Sequence, residues 1–203
     1  MQCIRASDGV GLPSVVRIPG GSFSRIGTVL DMGATGIMLP TIESREQLET
    51  AIAEFHFPPK GRRSFGGSRV YSLFGEDYCE KSKTYHLLAA QIENVEGLEN
   101  VEEIAAAEGV DILFFGPSDM RLSMGLPLET PLDHPKLMDA MRRIASTAKG
   151  KRKVVGTVAL TAKNLRVVLE LGFTFIVSYV DIIALEQTAI ERFREMRKLI
   201  EGS

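Results

Sequence analysis

Apolar and polar positions along this chain follow a recurring cadence: an amphipathic stretch, a glycine, then a short apolar run. Leu30-Asp31-Met32-Gly33 leads into Gly36-Ile37-Met38-Leu39-Pro40. Ala107-Glu108-Gly109 leads into Asp111-Ile112-Leu113-Phe114-Phe115-Gly116-Pro117. Leu169-Glu170-Leu171-Gly172 leads into Thr174-Phe175-Ile176-Val177-Ser178. A glycine just past a helical pattern marks a helix end, because the chain reverses there through positive φ. A short apolar run after it reads as a strand buried on both faces. The intervening stretches carry helical period. Val95, Leu98, Val101, Ile104 and Ala105 share one face, as do Leu137, Met138, Met141, Ile144 and Ala145. Ile182, Leu185, Ala189, Phe193, Met196 and Ile200 form a long apolar stripe near the end. Ser44 with Gln47 three residues on reads as a capping box.

Strands are therefore expected near 13–17, 35–40, 86–93, 111–116, 153–158 and 173–179, with helices in most of the gaps. Six strand–helix units in 203 residues imply a parallel α/β sheet, either doubly wound or a (β/α) barrel, read as one domain over 1–203. No GxGxxG follows the first strand and no GxxxxGK[ST] occurs, so the dinucleotide and P-loop readings lose their main support. Residues 56–84 break the cadence. They are basic and rich in Gly and Pro, and read as a functional loop over an active-site mouth or a neighbouring subunit, or as a plain solvated loop.

Composition narrows the classes. Lys plus Arg number 24 and Asp plus Glu 26, for a formal net charge of −2. No basic excess points to nucleic acid. No apolar run reaches the ~18 residues of a membrane span, and the first residues lack a signal-peptide apolar core. A cytoplasmic protein without membrane or nucleic-acid partners is expected. Cys3 and Cys79 are the only cysteines and form no metal or disulfide spacing.

In α/β folds the ligand site lies beyond the C-terminal ends of the strands. Those ends deliver Arg17, the Gln91-Ile92-Glu93 segment and Gly116-Pro117-Ser118-Asp119 to one mouth. Two carboxylates, Glu93 and Asp119, suit a hard divalent cation such as Mg²⁺ or Mn²⁺. Arg17 suits a bidentate grip on an anionic substrate group. Position alone leaves the other reading open, in which an Asp such as Asp119 before a helical stretch is only a cap. His56, His86 and His134 end no strand at the mouth and read as structural. No Ser/His/Asp or Cys/His set can be placed. No lysine lies centrally in a strand as a Schiff-base former would.

Gln91-Ile92-Glu93 followed by Phe115-Gly116-Pro117-Ser118-Asp119 resembles the HpcH/HpaI aldolases, metal-dependent pyruvate aldolases of class II, a family that also contains macrophomate synthase. Val15-Val16-Arg17, Leu30-Asp31-Met32-Gly33-Ala34 with Leu39-Pro40, and Phe57-Pro58-Pro59 with Gly61-Arg62-Arg63 and Phe65-Gly66 extend the resemblance over nearly the whole chain. It implies a TIM-type barrel and carbon–carbon lyase activity. Its substrates would be 4-hydroxy-2-oxoacids cleaved to pyruvate and an aldehyde, or oxaloacetate decarboxylated through a metal enolate. It implies Glu93 and Asp119 as metal ligands for Mg²⁺ or Mn²⁺, with Co²⁺ also admissible. Gln91, Gly116, Pro117 and Ser118 would border the substrate, and Arg17 would bind the pyruvyl oxygens.

The resemblance also implies what is missing. Family members carry two further strands ahead of the segment matched by 13–17, the second with an Asp-x-x-His whose His assists as acid–base. Asp31 matches the catalytic Asp that partners that His. Tyr179 stands where a small residue is usual. An incomplete barrel with six of eight units is therefore expected, with open edges near 13–17 and 173–179 that favour a homo-oligomer. Two functional readings follow: a metal-dependent aldolase or decarboxylase, or a catalytically impaired, truncated paralogue or non-catalytic partner subunit.

Overall fold

The computed structural model describes residues 2–201. In chain order the elements are α1 (Gln2–Gly9), β1 (Val15–Arg17), a 3₁₀ turn (Phe23–Arg25), α2 (Ile26–Asp31), β2 (Gly36–Leu39), α3 (Arg45–Phe55), α4 (Ser68–Phe74), α5 (Tyr78–Tyr85) and β3 (Leu87–Ile92). There follow α6 (Val95–Glu99), α7 (Val101–Ala105), β4 (Ile112–Phe115), α8 (Pro117–Ser123), α9 (Pro135–Gly150), β5 (Val154–Val158), α10 (Ala162–Glu170), β6 (Phe175–Val177) and α11 (Asp181–Glu201). The strands form one sheet in the order β1-β2-β3-β4-β5-β6, and every pairing is parallel. The sheet curls into an incomplete TIM-type barrel with helices outside.

All six expected strands are present, with trimmed ends. The three cadence glycines, Gly33, Gly109 and Gly172, take φ of 104°, 104° and 86°. That is the left-handed turn out of a helix into a strand. Ser44 caps α3, its hydroxyl accepting from the Gln47 N–H at 3.2 Å. The Gln47 side chain reaches back to the Glu43 N–H at 2.9 Å, one residue before the usual capping-box partner.

The register sorts side chains by face. Ile37, Leu39, Leu88, Ala90, Ile92, Leu113 and Phe115 point outward and form the main core with α2, α3, α7 and α9. Met38, Ala89, Ile112 and Phe114 point inward and form a second, smaller cluster, flanked by Val15, Val158, Phe175 and Val177. Period-2 alternation splits each strand between these two cores.

The 56–84 segment differs from expectation. Only 56–67 is irregular, while α4 and α5 occupy most of the rest. Val70 and Tyr78 are fully buried and anchor them. The segment follows a helix rather than a strand, so it packs beneath the sheet at the N-terminal ends of the strands and not over the mouth. Arg63 ties it there. Its Nη2 donates to Asp31 Oδ1 at 2.6 Å and to the Tyr78 hydroxyl at 2.8 Å, and its guanidinium lies 4.4 Å from the Phe57 ring centroid. The Tyr78 hydroxyl in turn meets His86 Nε2 at 2.8 Å, and His86 Nδ1 lies 3.2 Å from the Thr35 carbonyl oxygen.

Candidate active site

The C-terminal ends of the strands bring a continuous polar chain together. Arg17, last in β1, donates its Nε to Gln91 Oε1 at 3.2 Å. Gln91, inward-facing in β3, donates its Nε2 to Glu93 Oε2. The Arg17 bond fixes the amide orientation, since a guanidinium only donates and must face the carbonyl oxygen. Glu93 lies one residue beyond β3 and is buried, with only 2% of its surface exposed. Its other oxygen, Oε1, accepts from the Thr41 N–H at 2.8 Å and the Thr41 hydroxyl at 2.9 Å. Thr41 follows β2 by two residues.

Burial raises the Glu93 carboxyl above the usual carboxylate range, and the charge of Asp119 adds to the rise. The two bonds from Thr41 and the charge of Arg17 pull the other way. A buried carboxylate beside a second negative charge is an arrangement that invites a cation. Gly116 supplies the room. A Cβ there would come within 2.6 Å of Glu93 Cβ and 2.8 Å of Gln91 Nε2. The glycine is thus a matter of close approach, not of turn geometry. Pro117 begins α8, and Ser118 and Asp119 follow in its exposed first turn.

Arg17, Gln91, Glu93, Gly116, Pro117, Ser118 and Asp119 therefore lie along one end of the sheet. Asp31 does not join them. It ends α2, which runs back against the strands, and its carboxylate is held by Arg63 at the opposite end. Clefts of about 340 and 260 Å³ lie on that side, both bordered by Asp31 and Gly66. His56 and His86 also belong to the Asp31 end, where burial first, and the charge of Arg63 further down, lower both to about 4. His134 precedes α9. Among the described residues, no hydrogen bond joins a histidine to the Arg17–Gln91–Glu93 chain. Thr41 was not singled out from sequence. The Pro40-Thr41 step after a strand was visible, but nothing in it marks a double donor to a carboxylate 52 residues on.

The class of protein is that of a parallel half-barrel on a TIM-type scaffold, with an Arg–Gln–Glu hydrogen-bonded chain at its strand ends. The family model described as HpcH/HpaI aldolase/citrate lyase matches residues 1–185. The 5-keto-4-deoxy-D-glucarate aldolase of Shigella boydii is 34% identical over 175 residues, covering 85% of this chain and 67% of that protein. The HpcH/HpaI aldolase structure from Desulfitobacterium hafniense superposes with a TM-score of 0.87 at 25% identity, over 96% of this chain and 76% of that one. Macrophomate synthase superposes with a TM-score of 0.84 at 28% identity, over 94% of this chain and 68% of its own. The chain belongs to the HpcH/HpaI aldolase/citrate lyase family, whose aldolases and lyases act on carbon–carbon bonds.

Proposed function

We propose that this chain is a divalent-metal-dependent lyase acting on a small 2-oxoacid, and that enolate stabilisation is its core chemistry. The observation that carries the reading is buried Glu93, tied through Gln91 to Arg17, with Asp119 beyond the next strand. The donor set fits a hard cation. It offers two carboxylates, a glycine-lined gap at Gly116, and a Glu93 whose burial without a cation is costly. Glu93 and Asp119 would hold Mg²⁺ or Mn²⁺, with Co²⁺ admissible, and the ion when bound would supply Lewis-acid polarisation of the 2-oxo group.

The chain's own residues do the rest. Arg17 has its Nε committed to Gln91, which leaves its terminal nitrogens for the substrate's oxygens. A guanidinium fixed in this way offsets negative charge as it develops, without reorganising at the moment of reaction. Gln91 holds Arg17 and Glu93 in register with each other. Gly116, Pro117 and Ser118 border the substrate. Decarboxylation of oxaloacetate needs only this machinery: the C–C bond breaks, CO₂ leaves, the electron pair enters the enolate, and a proton completes pyruvate. Aldol cleavage needs one more group, to take the proton from the C4 hydroxyl. Asp31 would act there only through a partner brought to it, since its own neighbour is Arg63. The open edges of β1 and β6, together with the exposed apolar stripe of α11, support self-association of the chain.

The test is Mn²⁺-dependent pyruvate release from oxaloacetate and from a 4-hydroxy-2-oxoacid, at matched protein concentration. Decarboxylation is expected to exceed aldol cleavage by about 10²–10⁴, the usual worth of a general base. Efficient aldol cleavage by these 203 residues would mean that another group supplies the base. Inactivity toward both, in a folded protein, would favour a non-catalytic partner subunit.

A further inference from the structure

We infer that Thr41 is a positioning residue for Glu93: a strained, two-donor clamp that locks one carboxylate oxygen so that the other, which accepts only from Gln91, keeps a lone pair for the metal. This deepens the metal-lyase reading and rests on it. Three observations carry it. First, Thr41 has φ of 51°, one of only two positive-φ non-glycine residues among those described. A β-branched side chain crowds the backbone there, and such residues rarely adopt the conformation. Second, the strained backbone is what lets one residue offer two donors to one atom. The Thr41 N–H and hydroxyl both reach Glu93 Oε1, at 2.8 and 2.9 Å. Third, the segment is held from both sides. The Ile42 N–H donates to the Gln91 carbonyl at 3.1 Å, and Asn100 Nδ2 donates to the Glu43 carbonyl at 2.8 Å. The Ile42 carbonyl lies where a side chain on Gly97 would sit. Surroundings that over-determine an unfavourable backbone, with function at its tip, mark strain that is retained for a purpose.

The consequence is an asymmetric carboxylate. Oε1 is saturated by Thr41. Oε2, on the Gly116 side, has only the Gln91 amide. A carboxylate fixed at one oxygen has lost its rotational freedom before a cation arrives, and such supporting bonds are commonly worth 10–100-fold in metal affinity.

The experiment titrates Mn²⁺ into wild type, Thr41→Val, Thr41→Ser, Thr41→Gly and Glu93→Gln, and measures thermal stability of each without metal. Thr41→Val keeps shape and strain but deletes one donor, and is expected to weaken Mn²⁺ binding about 10-fold or more. Thr41→Ser restores the hydroxyl and is expected within about threefold of wild type. Thr41→Gly relieves the strain and deletes the hydroxyl. Its melting temperature should hold or rise while Mn²⁺ affinity falls, opposite signs that a merely structural residue would not give. In oxaloacetate decarboxylation at saturating Mn²⁺, Thr41→Val should recover most of its kcat. Val binding Mn²⁺ as well as wild type, Ser failing as badly as Val, or Gly losing stability and affinity together would each overturn the assignment. Unchanged Mn²⁺ binding in Glu93→Gln would overturn the metal reading itself, and the role of Thr41 with it.

Discussion

The middle of the sheet and its flanks are built to different standards. β2 and β4 are buried along their whole length, and β3 everywhere but at its first residue. β1 and β6 are partly exposed throughout, and α11 has no buried residue over its 21. The cause is geometric. A barrel strand needs a helix outside, a neighbour on each side and opposing side chains within, and among the described residues only the middle strands have all of these. Gln91, Glu93, Thr41 and Gly116 all hang from the well-packed middle. Arg17 alone hangs from a flank. The end proposed to hold the metal is therefore rigid by construction, and the end proposed to bind the anion is its loosest part.

A matched pair of substitutions tests this contrast most sharply. Phe115, fully buried in β4, and Phe175, half-buried in β6, are the same residue type in the same sheet. Phe115→Ala is expected to lose about 3–5 kcal/mol of stability, as a filled core site that cannot collapse. Phe175→Ala should lose less than half of that, because its site already meets solvent on one side. Equal losses in urea unfolding would mean that the flank is as well packed as the middle, and would break the comparison.

Acid separates the two ends of the sheet next. His56 and His86 are held neutral to about 4. Unfolded, they take protons near 6.5. Between these values the unfolded chain binds more protons than the native one, so stability falls as pH drops from about 6.5 toward 4, by on the order of 3 kcal/mol per histidine at most. His86 has a structural reason beyond burial. With its Nδ1 proton directed at the Thr35 carbonyl, its Nε2 accepts from Tyr78, and a second proton would make the Tyr78 hydroxyl turn its own proton away to accept from both His86 and Arg63. Glu93 works the other way: its raised value stabilises the protein as pH falls, one group against two. Urea titrations from pH 7 to 4 should show a net loss, steeper in Glu93→Gln and shallower in a variant lacking one histidine.

Arg17→Lys probes the loose end of the site. Lysine carries the charge but not the planar fork, and cannot hold Gln91 and an anion at once. A 10–100-fold loss in kcat/KM for oxaloacetate is expected, about 1.4–2.7 kcal/mol, with Mn²⁺ affinity nearly unchanged because the Thr41–Glu93 end stands on other strands. Wild-type turnover would remove Arg17 from its role.

The sequence made the middle of this molecule legible and the flanks less so, for physical reasons. Helix–glycine–strand punctuation is local chemistry, and each of its three glycines sits at positive φ. The strand ends that carry Arg17, Gln91, Glu93 and Asp119 followed from that placement. The Gly/Pro-rich 56–84 segment misled, because composition marked a loop while Val70 and Tyr78 were enough to bury two short helices. Thr41 was invisible because its role depends on a backbone strain and a partner strand that no local pattern encodes. Asp31 was legible as a residue but not as a location. A motif gives no sign of which end of a helix will hold it, and α2 carries it to the end away from Arg17.

The smallest effect on the folded protomer is expected at α11, and it is informative for that reason. Ile182, Leu185, Phe193 and Met196 are each about two-thirds exposed. Apolar side chains at this spacing on one helix face ordinarily cover a core, and here they cover none of the chain's own. Leu185→Glu with Phe193→Glu should therefore move the urea midpoint of the dilute protein by no more than about ±0.5 kcal/mol in stability. If the stripe is a contact between copies, the same pair should abolish concentration-dependent association in sedimentation velocity. It should also lower activity only at protein concentrations where wild type associates. A large drop in the stability of the dilute double variant would instead show that α11 folds back onto its own sheet. The flank would then be closed from within, and the contrast between middle and edge would narrow to β1 and β6 alone.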